Sequence, residues 1–403
     1  MKNKVVKVTG AFILASLVLL HISTYMSPSY QQEQLPDNVE FSVPIASAPT
    51  AFISVWDTTR TSDVSSGSNQ VHLPLESIGT YNLTVYWGDG TSDTITIWDQ
   101  AEVTHTYASA GTYTITITGT IVGWCFTVGS DGLSDGHKII EIQQWGCLQL
   151  GNSGSYFYGC WDLKLTATDN LNLTGTTNLH QAFRYCHYLG SSGNMDGWDV
   201  SSVTDMSRMF QGAGTFNQPI GNWDVSSVTD MSRMFDGASS FNQPLKTWDV
   251  SSVTNMICMF YGAFSFNQPL KTWDVSSVTN MICMFSEASS FNQPLGTWDV
   301  SSVTNMDFIF AGVVLSTPNY DNLLLGWSKL SLQSGVNFHA GKSTYSSATV
   351  DARQAIITNF GWTITDGGPT LEILGYNIPL LLGSVGLIGL YVAKKKLVGN
   401  LIS

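Results

Sequence analysis

The chain has 403 residues, a formal net charge of −13 and only 12% charged residues. Its length predicts two or three domains rather than one core, and its acidic balance excludes a nucleic-acid-binding role, because phosphates require a basic face. The 12% aromatic content, with 13 Trp, excludes a disordered chain because it supplies enough material for a buried core.

The N-terminus begins with a basic stretch followed by an apolar run over residues 8–20. This run is too short for a comfortable membrane span, so residues 1–27 are predicted to be a signal peptide or an uncleaved signal-anchor. Residues 28–48 are predicted to be a linker.

Residues 49–122 carry the pattern of a small β-sandwich. Polar and apolar residues alternate over 94–97 and 113–117, which is the period of half-buried strands. Gly88, Asp89 and Gly90 predict a hairpin turn between two strands.

The strongest signal in the sequence is an internal repeat. The segment Trp-Asp-Val-Ser-Ser-Val-Thr recurs every 25 residues, starting at Trp198, Trp223, Trp248, Trp273 and Trp298. Within one unit, Leu245, Trp248 and Val250 have the strand spacing of leucine-rich repeats, and Met256, Met259 and Phe260 have the spacing of a helical turn. The predicted fold class is therefore mainly β with short helical turns: a leucine-rich-repeat-like solenoid over residues 123–317, preceded by the immunoglobulin-like sandwich.

The C-terminal part is predicted to close the solenoid and then reach a membrane. Residues 318–366 are interpreted as a cap and residues 367–372 as a linker. Residues 373–393 are apolar and long enough to cross a bilayer, and Lys394, Lys395 and Lys396 follow at once. A buried core helix would not explain why three consecutive lysines follow the apolar run directly. We therefore expect a transmembrane helix, a cytoplasmic tail over 394–403 and a cell-surface location with the bulk of the chain extracellular.

Two columns of residues in the repeats are candidates for ligand binding. The Trp residues could stack on sugars, but their spacing favours core packing. The Asp that follows each Trp faces outward and is the candidate ligand-binding position: Asp199, Asp224, Asp249, Asp274 and Asp299. Each Asp is expected to hold a local Asx turn, with a column of bound calcium as the alternative.

A second candidate is an apolar patch on two adjacent units. Two copies carry Asp205 with Arg208 and Asp230 with Arg233, three residues apart on a predicted helical turn where they can pair. The next two copies lose both charges and carry Ile257, Cys258, Ile282 and Cys283 instead. This patch is covered either by the C-terminal cap or by a partner. An exported chain also permits disulfides among its six Cys, although the sequence does not determine their connectivity.

The repeats closely resemble those of BspA-like leucine-rich-repeat surface proteins, in the variant built on W-D-V-S-x-V-T-x-M-x-x-M-F, over about residues 139–310. The segment from Val85 to Gly90, with His105-Thr106-Tyr107 and Gly111-Thr112-Tyr113, looks like a polycystic-kidney-disease (PKD) type domain. These resemblances imply adhesion or extracellular binding, and the repeat family has no common catalytic residues to transfer.

No catalytic motif is recognisable, so we do not expect an enzyme. The leading hypothesis is a cell-surface adhesion or binding protein that presents its repeats to an extracellular protein or glycan. The alternative is a structural coat or spacer protein that associates with copies of itself. No cofactor is expected apart from the calcium alternative, and the expected membrane contact is made by the C-terminal helix.

Overall fold

The computed structural model describes residues 51–127, 134–373 and 376–379. Its N-terminal part consists of strands that alternate between buried and outward-facing residues; in the strand from Thr80 to Tyr86, for example, Tyr81, Leu83 and Val85 are buried. The strands of this part are β1 (Ala51–Asp57), β2 (Gln70–His72), β3 (Thr80–Tyr86), β4 (Ser92–Ile95), β5 (Thr104–Thr106), β6 (Thr112–Val122), β7 (Ile139–Gln144), β8 (Leu148–Gln149) and β9 (Lys164–Leu165).

Most of these strands belong to one sheet with the order β4-β3-β6-β1-β7-β9, and β8 pairs in parallel with β6. β2 and β5 form a separate antiparallel pair. The hairpin predicted at Gly88-Asp89-Gly90 is confirmed: it joins β3 to β4, and Gly88 and Gly90 have φ angles of 84° and 93°. The antiparallel contact of β7 with β1 connects this sheet directly to the first repeats.

The 25-residue units are stacked and joined by backbone hydrogen bonds. Isolated parallel bridges link Asp205, Asp230, Asn255, Asn280 and Asn305 in succession. In one unit, the N–H groups of Met256, Cys258 and Phe260 donate to carbonyls of the next unit at 2.8–3.0 Å, and the intervening Met259 N–H closes a local turn. This alternation satisfies the buried backbone groups without a continuous strand.

Buried aromatic columns run through the stack. Trp223, Trp248 and Trp273 lie nearly parallel, with ring centroids 6.3 and 6.4 Å apart. Each indole N–H donates to a carbonyl of the preceding unit, as Trp248 Nε1 does to Ile220 at 3.0 Å. The predicted inward orientation of the Trp column is thus confirmed, since Trp248 is only 3% exposed. A parallel column contains Phe157, Phe183, Phe210, Phe235, Phe260, Phe285 and Phe310, all fully buried.

The C-terminal elements follow the last unit, which contacts them through a parallel bridge between Met306 and Phe338. They are α1 (Thr317–Trp327), β10 (Asn337–His339), α2 (Val350–Phe360), β11 (Thr363–Thr365), β12 (Thr370–Ile373) and β13 (Tyr376–Pro379). β10 and β11 pair in parallel, and the Phe310 N–H donates to the His339 carbonyl at 3.1 Å. α2 ends at Gly361 in a left-handed conformation.

The described residues are mainly β with few helices, but the predicted leucine-rich-repeat-like solenoid preceded by an immunoglobulin-like sandwich is contradicted. No strand forms at Leu245, Trp248 and Val250, and no helical turn forms at residues 256–260, which are turns joined only by isolated bridges. The cause is local, because the left-handed φ of 53° at Cys258 is incompatible with a helix. The described residues contain no closed sheet, and the N-terminal strands extend into the repeat segment instead of forming a separate sandwich.

The predicted membrane anchor is also contradicted. Across residues 51–127, 134–373 and 376–379, no helix is long and apolar enough to cross a membrane. Ile373 and residues 376–379, at the start of the predicted 373–393 helix, are instead in strands, since β12 and β13 pair antiparallel. The predicted cell-surface localisation is therefore not retained. The predicted signal segment 1–27, the linker 28–48, the rest of 373–393 and the tail 394–403 lie outside the described residues.

Candidate binding face

One surface of the stack carries most of its exposed aromatic side chains. It is formed by the outward-facing residues that lie from two positions before to five positions after each Phe of the buried column. We call this surface the aromatic face. Its large apolar residues with the highest exposed fractions are Trp161 (49%), Tyr188 (54%), Tyr261 (40%), Phe264 (52%), Phe308 (56%) and Val314 (58%).

The backbone explains why these positions point outward. The residue two before the buried Phe has a left-handed φ in successive units, between 53° and 58° at Arg208, Arg233, Cys258, Cys283 and Phe308. A second left-handed position follows the Phe by two residues and holds Gly in most units, but Tyr185 and Glu287 in two of them. Between these two bends the Phe and the Met before it remain buried, as Phe260 and Met259 do, whereas Tyr261 directly after the Phe is exposed.

The N-terminal end of the aromatic face is rich in ring contacts. The Trp161 ring lies 4.8 Å from the His137 ring and 5.6 Å from the His187 ring, measured between centroids. The Arg184 guanidinium lies 4.6 Å from the centroid of the Tyr185 ring, and its Nη2 donates to the Tyr185 hydroxyl at 2.9 Å.

The middle of the aromatic face is charged. Arg233 Nη1 lies 3.2 Å from Asp236 Oδ2, and Gln211 Nε2 donates to the same oxygen at 2.8 Å. Burial raises the pKa of Asp236, and the Arg233 contact opposes that rise. The predicted pairing of Arg233 with Asp230 is therefore wrong, because the structure pairs Arg233 with Asp236.

The other predicted pair, Asp205 with Arg208, is also not formed. The Asp205 carboxylate instead accepts the backbone N–H and the hydroxyl of Ser207. This is the same local turn that Asp230 makes with the backbone N–H of Ser232.

The C-terminal end of the aromatic face is mostly apolar, with Glu287 as an exposed charged residue, and it adjoins the predicted patch. Cys258 is buried and Cys283 half-buried, in the column that continues to exposed Phe308, and Ile257 and Ile282 are half-buried. Burial raises the pKa of Cys258 to about 11, so its thiol is protonated at neutral pH. All six Cys lie in the described residues and are free thiols.

The five predicted Asp residues lie outside the aromatic face. Each is exposed and accepts the backbone N–H of the Ser two residues on, as Asp249 Oδ1 does from Ser251 at 3.0 Å. The same contact recurs at Asp199, Asp224, Asp274 and Asp299. This is the Asx turn expected from the sequence. In the described part of the chain, no group of three or more His, Cys, Asp or Glu is placed to hold a metal ion.

Sequence reasoning did not identify the aromatic face as a candidate site. The available signal was the repeat register: Phe264 stands where neighbouring copies have Ser239 and Ser289, and Phe308 stands where they have Arg233 and Cys283. Core packing does not require an aromatic residue at an outward position where other copies have a small or polar one. Such a replacement therefore indicates an interaction surface.

No curated protein and no solved structure matches this chain. A family described as "Mycoplasma protein of unknown function, DUF285" does match, over residues 152–264 and 243–323. These overlapping matches cover the repeats and less than half of the chain. The repeat segment that carries the aromatic face is therefore similar to a family whose function is itself undescribed.

Proposed function

We propose that this protein is a non-catalytic binding protein whose aromatic face contacts an extended glycan or protein ligand. The observation that carries the proposal is the concentration of exposed Trp, Tyr and Phe side chains on one surface of the stack. Large exposed apolar groups that cluster are typical of interaction sites, whereas single scattered ones are not.

The aromatic face is suited to binding because its backbone is preorganised. Each unit is hydrogen-bonded to the next, and the two left-handed positions fix where the side chains leave the backbone. Aromatic side chains have few rotatable bonds, so they present a large contact area at low cost in conformational entropy. Repetition along the stack favours a ligand that is itself extended.

The one Ser–His contact on the stack does not resemble an activated nucleophile. His180 Nδ1 lies 2.6 Å from the Ser207 hydroxyl, which itself donates to Asp205 Oδ1 at 2.5 Å. Because the single hydroxyl proton is directed to Asp205, His180 Nδ1 must carry the proton that it shares with Ser207. A histidine that donates to serine cannot act as its general base, so this contact supports a structural role.

The repeats supply the variants that test the proposal. Each exposed aromatic residue is exchanged for the residue that occupies its position in another unit: Phe264→Ser, Phe308→Cys and Tyr261→Ser. These replacements are already compatible with the stack. The matched control is Asp249→Asn with Asp274→Asn, which changes an equally exposed column outside the aromatic face.

The measurement is binding of the full chain to arrays of immobilised glycans and proteins. The face variant combines the three exchanges Phe264→Ser, Phe308→Cys and Tyr261→Ser. We expect its affinity for the array glycan or protein that the unaltered chain binds to fall about tenfold or more. The affinity of the Asp control should change by less than about twofold. A face variant that binds as well as the unaltered chain, while the Asp control loses binding, contradicts the proposal.

Self-association is a second candidate, favoured by the apolar C-terminal end of the face. Phe264, Phe308 and Val314 are each more than half exposed there, without a charged residue at those positions. Sedimentation of the chain over a range of concentrations tests this role. A concentration-dependent dimer that Phe308→Cys abolishes supports it, and a monomer at every concentration rejects it.

A further inference from the structure

The strongest candidate for a specific ligand-binding site is a cleft at the N-terminal end of the aromatic face. It has a volume of about 340 Å³ and lies between the N-terminal strands and the first units. Its lining includes Ser62, Val64, His137, Tyr158, Trp161 and Tyr185. These residues come from segments far apart in sequence, so only the fold brings them together.

Trp161 is the residue that distinguishes this cleft. All 13 Trp lie in the described residues; Trp98 is half-buried, Trp161 is exposed, and the other eleven are buried. The His137 and His187 rings hold the Trp161 indole from two directions, yet 49% of the residue remains exposed. A large ring that is fixed in place and left half open presents apolar surface, and a ligand that covers it gains about 25 cal/mol for each Å² removed from water.

Hydrogen-bonding groups line the cleft beside Trp161. Tyr158 and Tyr185 belong to neighbouring units, and the Arg184 guanidinium lies 5.5 and 4.6 Å from the centroids of their rings. The Tyr185 hydroxyl accepts a hydrogen bond from Arg184 Nη2 at 2.9 Å. A phenol hydroxyl both donates and accepts, so a ligand that brings hydroxyl groups matches these two residues.

The charges around the cleft nearly cancel. Arg60 pairs with Asp57 and with Asp162, the residue next to Trp161. Arg184 interacts with Asp236 at longer range, which lowers the pKa of that carboxyl against the effect of its burial. A charged ligand would have to compete with these pairs, whereas a neutral one would not.

From this geometry we infer that the cleft binds a neutral glycan, with one pyranose ring stacked on Trp161. A pyranose has a flat face of C–H groups, which suits an aromatic ring, and a rim of hydroxyl groups, which suits Tyr158 and the Tyr185–Arg184 pair. The inference rests on the proposed binding function, because it names the ligand class for one end of the same face.

The test is a fluorescence titration of the full chain with neutral oligosaccharides. The probes are hexamers of β-1,4-linked glucose, α-1,4-linked glucose, β-1,4-linked N-acetylglucosamine and mannose, with hexagalacturonate as the acidic comparison. We expect saturable change in tryptophan emission with at least one neutral hexamer and a weaker response to the acidic one. No saturable response to any neutral probe up to about 10 mM overturns the inference.

Three variants separate this inference from the broader proposal. Trp161→Ser, which copies Ser239 at the equivalent position, should weaken binding about tenfold or more, and Trp161→Phe should keep it within about threefold. Asp249→Asn changes an exposed residue outside the aromatic face and should leave binding of a hexamer unchanged. Melting temperatures of all three confirm that the stack is intact.

The outcomes are distinguishable. If Trp161→Ser binds the hexamers normally but Phe264→Ser loses array binding, the inferred glycan-binding site is wrong and the aromatic face remains the binding surface. If a protein from the array binds through Trp161 and no glycan does, the ligand class is wrong. If neither substitution changes any binding, both proposals fail.

Discussion

The residue two positions before each buried Phe adopts a left-handed backbone although it is never Gly. Arg208, Cys283 and Phe308 have φ angles of 57°, 53° and 58°. Such a conformation is unfavourable for L-residues with a side chain, so tertiary contacts must maintain it. At Arg208 and Cys283 the maintaining contacts include hydrogen bonds to the next unit: each backbone N–H donates to a carbonyl at 2.8 Å, that of Ser232 and that of Asp307 respectively.

Glu287 offers a direct test of this strain. It occupies the second left-handed position with a φ of 61°, where Gly212, Gly237, Gly262 and Gly312 stand in other units. The Glu287 side chain is exposed, so little packing is lost when it is removed. We expect Glu287→Gly to raise the free energy of unfolding by about 0.5–1 kcal/mol, measured by denaturant unfolding.

The reverse substitution is the control. The Cβ position at Gly262 meets only backbone 3.9 Å away, so Gly262→Glu introduces backbone strain without a steric clash. It should destabilise the chain by a similar amount. If Glu287→Gly is destabilising, the left-handed conformation at this residue is not a source of strain.

The Asp column predicts how stability depends on pH. The Ser251 hydroxyl and backbone N–H lower the pKa of Asp249, and Asp199 and Asp274 are lowered in the same way by their own Ser residues. A lowered pKa means that the folded state favours the ionised carboxylate. Its stabilising effect is present above the unfolded pKa, near 4, and is lost as pH falls through the lower folded value.

The measurement is thermal unfolding between about pH 2 and pH 5. The unaltered chain should lose stability as pH falls below about 4, and a variant with Asn at Asp199, Asp249 and Asp274 should show a flatter profile because Asn also accepts in an Asx turn. Parallel profiles for the two proteins would show that these carboxylates do not contribute.

At the scale of the repeat unit, the Trp column joins neighbouring units in two ways. The Trp248 ring packs between Trp223 and Trp273, and its Nε1 donates to the carbonyl of Ile220. Since every unit depends on its neighbours in this way, damage to a central unit should be transmitted along the stack.

Trp248→Ala should therefore cost about 3–5 kcal/mol in the free energy of unfolding, because it leaves a cavity and an unpaired carbonyl. Trp248→Phe keeps part of the ring and should cost less. Asp249→Asn, the adjacent exposed residue, should change the free energy by less than about 0.5 kcal/mol. If Trp248→Ala is tolerated as well as Asp249→Asn, the Trp column does not hold the units together.

The period of the sequence predicted which residues of a unit are buried but not their backbone. Trp248, Val250, Met256 and Phe260 are all buried, as their spacing indicated. The same spacing suggested a strand and a helical turn, and neither is present, because apolar periodicity records which side chains face the core and not the φ angle at each residue. The left-handed position is occupied by Cys258 and not by Gly, Asn or Asp, the residues that would have indicated it in the sequence.

At the scale of the whole molecule, the aromatic face could be found only after the units were placed in register. Trp161 and Phe264 are distant in sequence, but both lie four residues after a Phe of the buried column. The Ile257, Cys258, Ile282 and Cys283 patch was recognised because two adjacent copies changed together. The cleft at Trp161 was not recognisable, because Ser62 and Val64 reach it from the connection between β1 and β2 through tertiary packing.

The exchange variants should separate stability from binding. Phe264→Ser and Phe308→Cys remove exposed side chains and install residues that other units already carry, so the free energy of unfolding should change by less than about 0.5 kcal/mol each. Thermal and denaturant unfolding check this. A loss of several kcal/mol would mean that these rings support the fold and do not form a free surface.

The central claim is that ligands contact the aromatic face. Hydroxyl-radical footprinting of the full chain tests it most directly, with the chain free and then bound to a glycan or protein identified on the arrays. In the free chain, Trp161, Tyr261, Phe264 and Phe308 should be oxidised readily, whereas the Trp248 column should be protected by burial. Bound ligand should reduce oxidation at one or both ends of the aromatic face and leave the segment around Asp249 unchanged. Protection confined to the Asp column, with unaltered oxidation of all four exposed aromatic residues, would contradict the account.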